Sequence, residues 1–181
     1  MTLQTALLQG RKLLEDAGIL APRLTVEVLL AHAVGCDRSW LFAHSDEKLK
    51  EVWWIHYGRY LHQRLEGMPT QYITGVQEFF SRDFRVTPAV LIPRPETEHL
   101  IETALKQNVS TILDIGTGSG AIAVTLALET EARVTATDIS SAALKIAQSN
   151  SRRLAVGQKS VMRLLTRGGT VTNYEHLPFE G

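Results

Sequence analysis

The apolar positions of the first third of the chain recur with the period of a helix. Leu3, Ala6, Leu7, Leu14 and Ala17 share one face of a helix predicted over residues 2–17. Gly10 weakens that helix without ending it, and Gly18 stops it. Pro22 opens a second helix, because a first-turn residue has no intrahelical use for its amide. Leu24, Val28, Leu29, Ala31 and Ala33 give this helix its apolar weight, and Gly35 closes it. Ser39 is the predicted cap of a short helix through Trp40, Leu41 and Phe42. Asp46 is the predicted cap of a longer one, from about Glu47 to Glu66, which packs through Trp53, Tyr57, Tyr60, Leu61 and Leu65. With no strand pattern between them, these helices predict a small bundle over residues 1–68.

The pattern then changes. Residues 69–95 are rich in aromatic and β-branched side chains broken by turn formers and prolines. Gln77–Phe80 and Phe84–Thr87 read as a hairpin turning at Ser81–Asp83. Pro88, Pro93 and Pro95 stiffen the segment after the hairpin, and Pro95, Glu96 and Glu98 suit the start of a helix through about Lys106. This stretch is either a plain connector or one wall of a ligand pocket. Beyond it, Thr111–Ile115 has the apolar weight of a buried strand, three glycines stand at 116, 118 and 120, and a helix pattern runs from Ala121 to Leu128. A second strand pattern, Arg133–Thr137, ends at Asp138 and leads into a helix over residues 142–154. Alternating strands and helices predict an α/β fold with a parallel sheet.

Strand, glycine loop and helix form the nucleotide-cofactor end of such a sheet. Three readings of the loop stand side by side. Gly116, Gly118 and Ala121 fit a relaxed dinucleotide pattern, with Asp138 eighteen residues after Gly120 as its ribose carboxylate. Asp-Ile-Gly-Thr-Gly-Ser-Gly, residues 114–120, resembles motif I of the S-adenosylmethionine (SAM) methyltransferases, whose ligand carries a sulfonium and an amino group that carboxylates suit. The third reading is a structural turn that binds nothing.

Composition narrows the field. The 181 residues are 44% hydrophobic and 21% charged, as in soluble globular chains. Nineteen basic residues balance nineteen acidic ones, so no global field draws the chain to nucleic acid. One cysteine, Cys36, excludes an internal disulfide, and of the six histidines only His56 and His62, six apart, come near a ligand spacing, so no metal is expected. No signal-peptide core and no apolar run of eighteen residues occurs, so a cytoplasmic protein without a membrane span is expected.

GVQEFFSRDFRVTPAVLIPRPETEHL (75–100), together with ILDIGTGSGAIAVTLA (112–127), resembles the release-factor glutamine methyltransferases, the HemK-like or PrmC-like proteins. The likeness runs from about residue 1 to 156, includes PRLTVEVLLAHAVG (22–35), and is narrowest in the Ile92–Glu98 run. It implies SAM-dependent methylation of the glutamine amide in the Gly-Gly-Gln motif of peptide chain release factors. It implies a Rossmann-like SAM-dependent methyltransferase domain, whose first half here spans residues 96–156, preceded by a helical bundle that docks the release factor. Asp114, Gly116, Thr117, Gly118, Ser119, Gly120 and Asp138 would bind SAM, and Arg94, Pro95 and Glu96 would shape the pocket. The related methyltransferases of DNA adenine are disfavoured by the neutral charge and the specific linker.

The chain departs from that family slightly at Thr25 and Val26, where many relatives have an acidic residue and alanine, and more deeply toward its end. The family's catalytic Asn-Pro-Pro-Tyr, which orients a poorly nucleophilic amide, does not occur, so no catalytic residue is assigned. Residues 157–181 diverge and are expected to form an exposed, poorly ordered end rather than a phosphate-binding face, although 139–174 hold six basic residues and no acid. Residues 160–165 remain a candidate third strand. The expected result is an incomplete domain with an exposed sheet edge, prone to self-association, and either a weak enzyme, an inactive docking form or a dinucleotide binder.

Overall fold

A computed structural model of the chain describes residues 1–154 together with the backbone of 163–165 and 171–172. The chain divides into two compact units, Met1–Thr74 and Gly75–Gly181.

The first unit is helical. Leu3–Asp16 (α1), Pro22–Val34 (α2), Arg38–Ala43 (α3), Glu51–Leu65 (α4) and Thr70–Thr74 (α5) surround a core of Leu3, Leu14, Val26, Leu29, Leu30, Leu41, Tyr57 and Leu61. Helix α1 runs unbroken through Gly10. A Cβ built there would lie 2.1 Å from the Tyr57 hydroxyl, so the glycine is the space that Tyr57 of α4 occupies. Burial pushes the Tyr57 phenol well above its ordinary range.

Three expectations for this unit are corrected. Helix α3 is capped by Asp37, which accepts the Trp40 amide at 2.7 Å, rather than by Ser39. Helix α4 starts at Glu51, not near Glu47. The segment before it is engaged elsewhere: Leu3 and Gln4 donate their amides to Glu47 and Ser45, and Leu49 donates to Met1. Open amides at the start of α1 thus find tertiary partners, and residues 45–49 stay out of a helix. Residues 70–74 are helical although β-branched, because Tyr72 and Ile73 turn back onto the Pro69 carbonyl and Ile73 packs on the core. Glu27, unremarked in the sequence, is 3% exposed and pairs with Arg23 at 2.9 Å and with Arg38.

The second unit is α/β. Val76–Phe79 (β1) and Arg82–Arg85 (β2) form an antiparallel hairpin, shifted from the expected register. The turn is two residues, Phe80 and Ser81, at φ of 50° and 56°. Nothing local favours positive φ there. The distant Glu98 carboxylate accepts the Phe80 amide at 2.8 Å, and the adjacent Arg82 donates to the Phe80 carbonyl, so side chains hold the turn. A short 3-10 turn, Pro95–Thr97, leads into Glu98–Leu105 (α6).

Thr111–Ile115 (β3), Arg133–Thr137 (β4), Arg163–Leu165 (β5) and Val171–Thr172 (β6) form a sheet in that order. β3, β4 and β5 are parallel and β6 is antiparallel to β5. β3 and β4 match the two strand patterns of the sequence, β5 falls within the candidate strand at 160–165, and β6 has no counterpart among the expected elements. Ala121–Glu129 (α7) and Ser141–Arg153 (α8) connect the parallel strands. Phe79, Phe84, Ile101, Val124, Leu126, Val134, Ala136 and Leu144 build the core. The opposite side of β3 carries Leu113 and Ile115, 59% and 78% exposed. Apart from the β5 and β6 backbone, the expectations for residues 157–181 lie outside the described residues. Among the described residues no helix is long and apolar enough to cross a membrane.

Candidate cofactor site

The glycine loop sits at the carboxyl ends of β3 and β4, where α/β sheets bind ligands. Its backbone is wired to β4. The amides of Gly116 and Thr117 both donate to the Thr137 carbonyl at 2.8 Å. The Gly118 amide donates to Asp138 Oδ2 at 2.9 Å, and the Gly120 amide to the Thr117 carbonyl at 2.8 Å. Gly116, Gly118 and Gly120 all have positive φ. A Cβ at Gly116 or Gly118 would meet open space, so these two serve the backbone turn and leave its outer side clear. Gly120 is doubly constrained: its Cβ would lie 3.0 Å from the Ala147 Cβ of α8.

The two carboxylates are held differently. Asp138 accepts Gly118 and Ser140 amides, one on each oxygen, the second at 2.8 Å. A carboxylate has about four lone-pair positions, so each oxygen keeps one for a further donor. Asp114 accepts the Thr117 hydroxyl at 2.7 Å, and its own carbonyl accepts the Thr137 hydroxyl at 3.2 Å. Burial pushes the Asp114 carboxyl above its ordinary 3.8, and the neighbouring Asp138 charge pushes it the same way. The Thr117 hydroxyl and the Ala123 amide oppose this without cancelling it. A buried carboxylate under such strain gains from a cation placed beside it.

The structure therefore brings Asp114, Gly116, Thr117, Gly118, Ser119, Gly120 and Asp138 into one site. It leaves Arg94, Pro95 and Glu96 exposed on the turn before α6, with no hydrogen bond to the loop among the described residues. Sequence reasoning missed Asn150, which is fully buried and reaches both the loop and β2. One signal was available: Ala143, Leu144, Ala147 and Asn150 form a single buried stripe on α8, and an asparagine in an apolar stripe needs polar partners.

Comparison with known proteins adds an independent line. Residues 5–75 match the family described as the PrmC N-terminal domain, and residues 98–175 match ribosomal protein L11 methyltransferase (PrmA). A release factor glutamine methyltransferase of Koribacter versatilis is 50% identical over 159 residues, covering 85% of this chain and 57% of that protein. Proteins of the same name from Moorella thermoacetica and Nitratidesulfovibrio vulgaris are 46% and 44% identical, over 88% and 87% of this chain and 58% and 55% of theirs. The chain is homologous to the release factor glutamine methyltransferases over most of its length. It spans a little over half the length of these curated relatives. The homology takes in both units, the glycine loop included.

Proposed function

We propose that this chain carries the SAM-binding half and the partner-docking bundle of a release factor glutamine methyltransferase. One observation carries the choice of ligand. The amides of Gly116, Thr117, Gly118 and Gly120 are already engaged within the loop and β4. A dinucleotide needs such amides for its pyrophosphate, and Asp114, a second carboxylate beyond the one a dinucleotide uses for its ribose, would repel that pyrophosphate. The same two carboxylates, beside a loop whose outer side is open at Gly116 and Gly118, suit a ligand with a positive centre and sugar hydroxyls. SAM fits both demands, and it supplies an activated methyl on a sulfonium.

The residues then take distinct roles. Asp138 accepts the ribose hydroxyls through its remaining lone pairs. Asp114 supplies the negative charge facing the cationic end, and Thr117 keeps its carboxylate turned. Gly116, Gly118 and Gly120 give the loop its path, Ser119 carries it into α7, and the Arg94–Glu96 turn forms a wall of the pocket. The domain around them is the Rossmann-like methyltransferase fold. Residues 1–68 dock the release factor, whose glutamine amide is the methyl acceptor, and that substrate places the reaction in the cytoplasm.

Titration calorimetry tests the ligand. SAM should bind more weakly than about 100 μM, at the loose end of the range usual for enzyme substrates. Asp138→Ala should weaken it at least about tenfold, the loss of about 1.4 kcal/mol. NADH should not compete. Binding of NADH, or SAM binding indifferent to Asp138→Ala, overturns the reading. For the substrate, labelled SAM, a release factor and this chain are mixed with and without the carboxy-terminal half of a relative. The release factor should co-migrate with this chain in both cases. Label should reach its glutamine only when the other half is present.

A further inference from the structure

We propose that Asn150 is a positioning residue of the cofactor loop, a role that rests on the SAM reading above. Its side chain is fully buried and makes three hydrogen bonds. Oδ1 accepts the Arg85 amide at 2.7 Å, while Nδ2 donates to the Arg85 carbonyl at 2.9 Å and to the Ser119 carbonyl at 2.8 Å. One orientation of the amide satisfies all three contacts, and a flipped amide would oppose two carbonyls to Oδ1.

The placement gives these bonds a purpose. Val86 donates back to the Gly75 carbonyl, so the amide and carbonyl of Arg85 face away from β1 and toward α8. Asn150 therefore completes the free edge of the hairpin as another strand would. Its third bond holds Ser119, the residue between the two left-handed glycines Gly118 and Gly120. Holding that carbonyl fixes the Ser119–Gly120 peptide plane, and with it the path of the loop at its junction with α7. A second observation makes the same point. Ala147, one helical turn before Asn150, is the residue against which Gly120 packs with no room for a Cβ. Ala147 and Asn150 thus lie on one face of α8 and register it to the loop, the first by close approach and the second by hydrogen bonding.

Asn150→Asp is the discriminating variant, since it keeps the shape and the acceptor but turns both donations into repulsion between oxygens. Leu144→Ala is the control: it opens the same helix's apolar face and leaves every polar contact in place. SAM titration and the 15N–1H signals of Gly118 and Gly120 are read on the full chain. Asn150→Asp should weaken SAM binding at least about tenfold and move both glycine signals, while Leu144→Ala, though it melts earlier, should stay within about twofold of the parent. Should Asn150→Asp fail to fold, Asn150→Ser takes its place with the same expectation. SAM affinity within twofold of the parent in the Asn150 variant overturns the proposal, as does an equal loss in Leu144→Ala. If the parent binds no SAM at all, the SAM reading fails by itself. The glycine signals then decide the clamp: unmoved signals in the Asn150 variant overturn it, and moved ones support it.

Discussion

The two units treat buried polar groups in opposite ways. In the helical unit, Glu27 is buried with two arginines that remain at the surface. Burial alone would raise its pKa, but the hydrogen bonds and charges of Arg23 and Arg38 outweigh that and hold it below its ordinary 4.5. In the α/β unit, Asp114 pairs with no cation among the described residues, and burial leaves its carboxyl raised. The first arrangement stabilises the fold. The second leaves the charge of a carboxylate uncompensated at a strand end, which is where a cationic ligand would repay it. The cores differ in the same sense. Large side chains such as Leu14, Leu29, Leu41 and Tyr57 fill the bundle, whereas the α/β core includes Ala121, Ala123 and Ala127 of α7, and the small Ala147 of α8 allows the close contact that Gly120 makes.

Glycine substitutions should show the largest contrast. Gly120→Ala combines a positive φ of 81° with a contact on Ala147, and should destabilise the α/β unit by about 3 kcal/mol. Thermal melting and hydrogen exchange of the α7 amides would register it, and SAM binding should fall in parallel. Gly10→Ala gains helix propensity but meets the Tyr57 hydroxyl, so a net loss of about 2 kcal/mol is expected in the bundle. A neutral or stabilising Gly10→Ala would mean that Tyr57 has room to move aside.

The carboxylates come next. Glu27 has a lowered folded pKa, so its stabilisation is complete above about pH 4.5 and is lost as pH falls through that lower value. Glu27→Gln should cost the bundle about 1–2 kcal/mol at pH 7 and flatten its acid melting profile between those two values. Asp114 has the opposite sign. Its raised folded pKa means that its contribution is present below 3.8 and lost as pH rises through the folded value. Asp114→Asn should therefore stabilise the α/β unit at pH 7, by at most about 1 kcal/mol, while weakening SAM binding. In the parent, SAM affinity should decline on acidification earlier than an ordinary aspartate would require. Equal acid profiles for the two units would erase the comparison.

The smallest effect is expected at Gly58, in the middle of α4, where a Cβ would meet nothing within 4 Å. Gly58→Ala should stabilise the bundle by about 0.5–1 kcal/mol, the ordinary gain of alanine over glycine in a helix. Set beside Gly10→Ala, it separates a glycine that makes room from one that does not.

By itself the sequence determined the elements whose signals are local. The period of 3.6, the stop at Gly18, the start at Pro22 and the stop at Gly35 placed α1 and α2, and the apolar run before three glycines placed β3, the loop and α7. The residue types of the loop, three glycines between Asp114 and Asp138, also marked a candidate ligand site and left its ligand open among three readings. Tertiary structure decided what depends on partners far away in sequence. Residues 45–49 left α4 because the open amides of α1 needed acceptors. The Phe80–Ser81 turn exists because Glu98 binds its amide. Gly10 is a contact rather than a defect because Tyr57 arrives from a helix about fifty residues later. Asn150 has a role only because the fold brings Arg85 and Ser119 to it from opposite sides. In each case the deciding free energy is that of satisfying or packing a buried group, and the sequence near that group does not contain its partner.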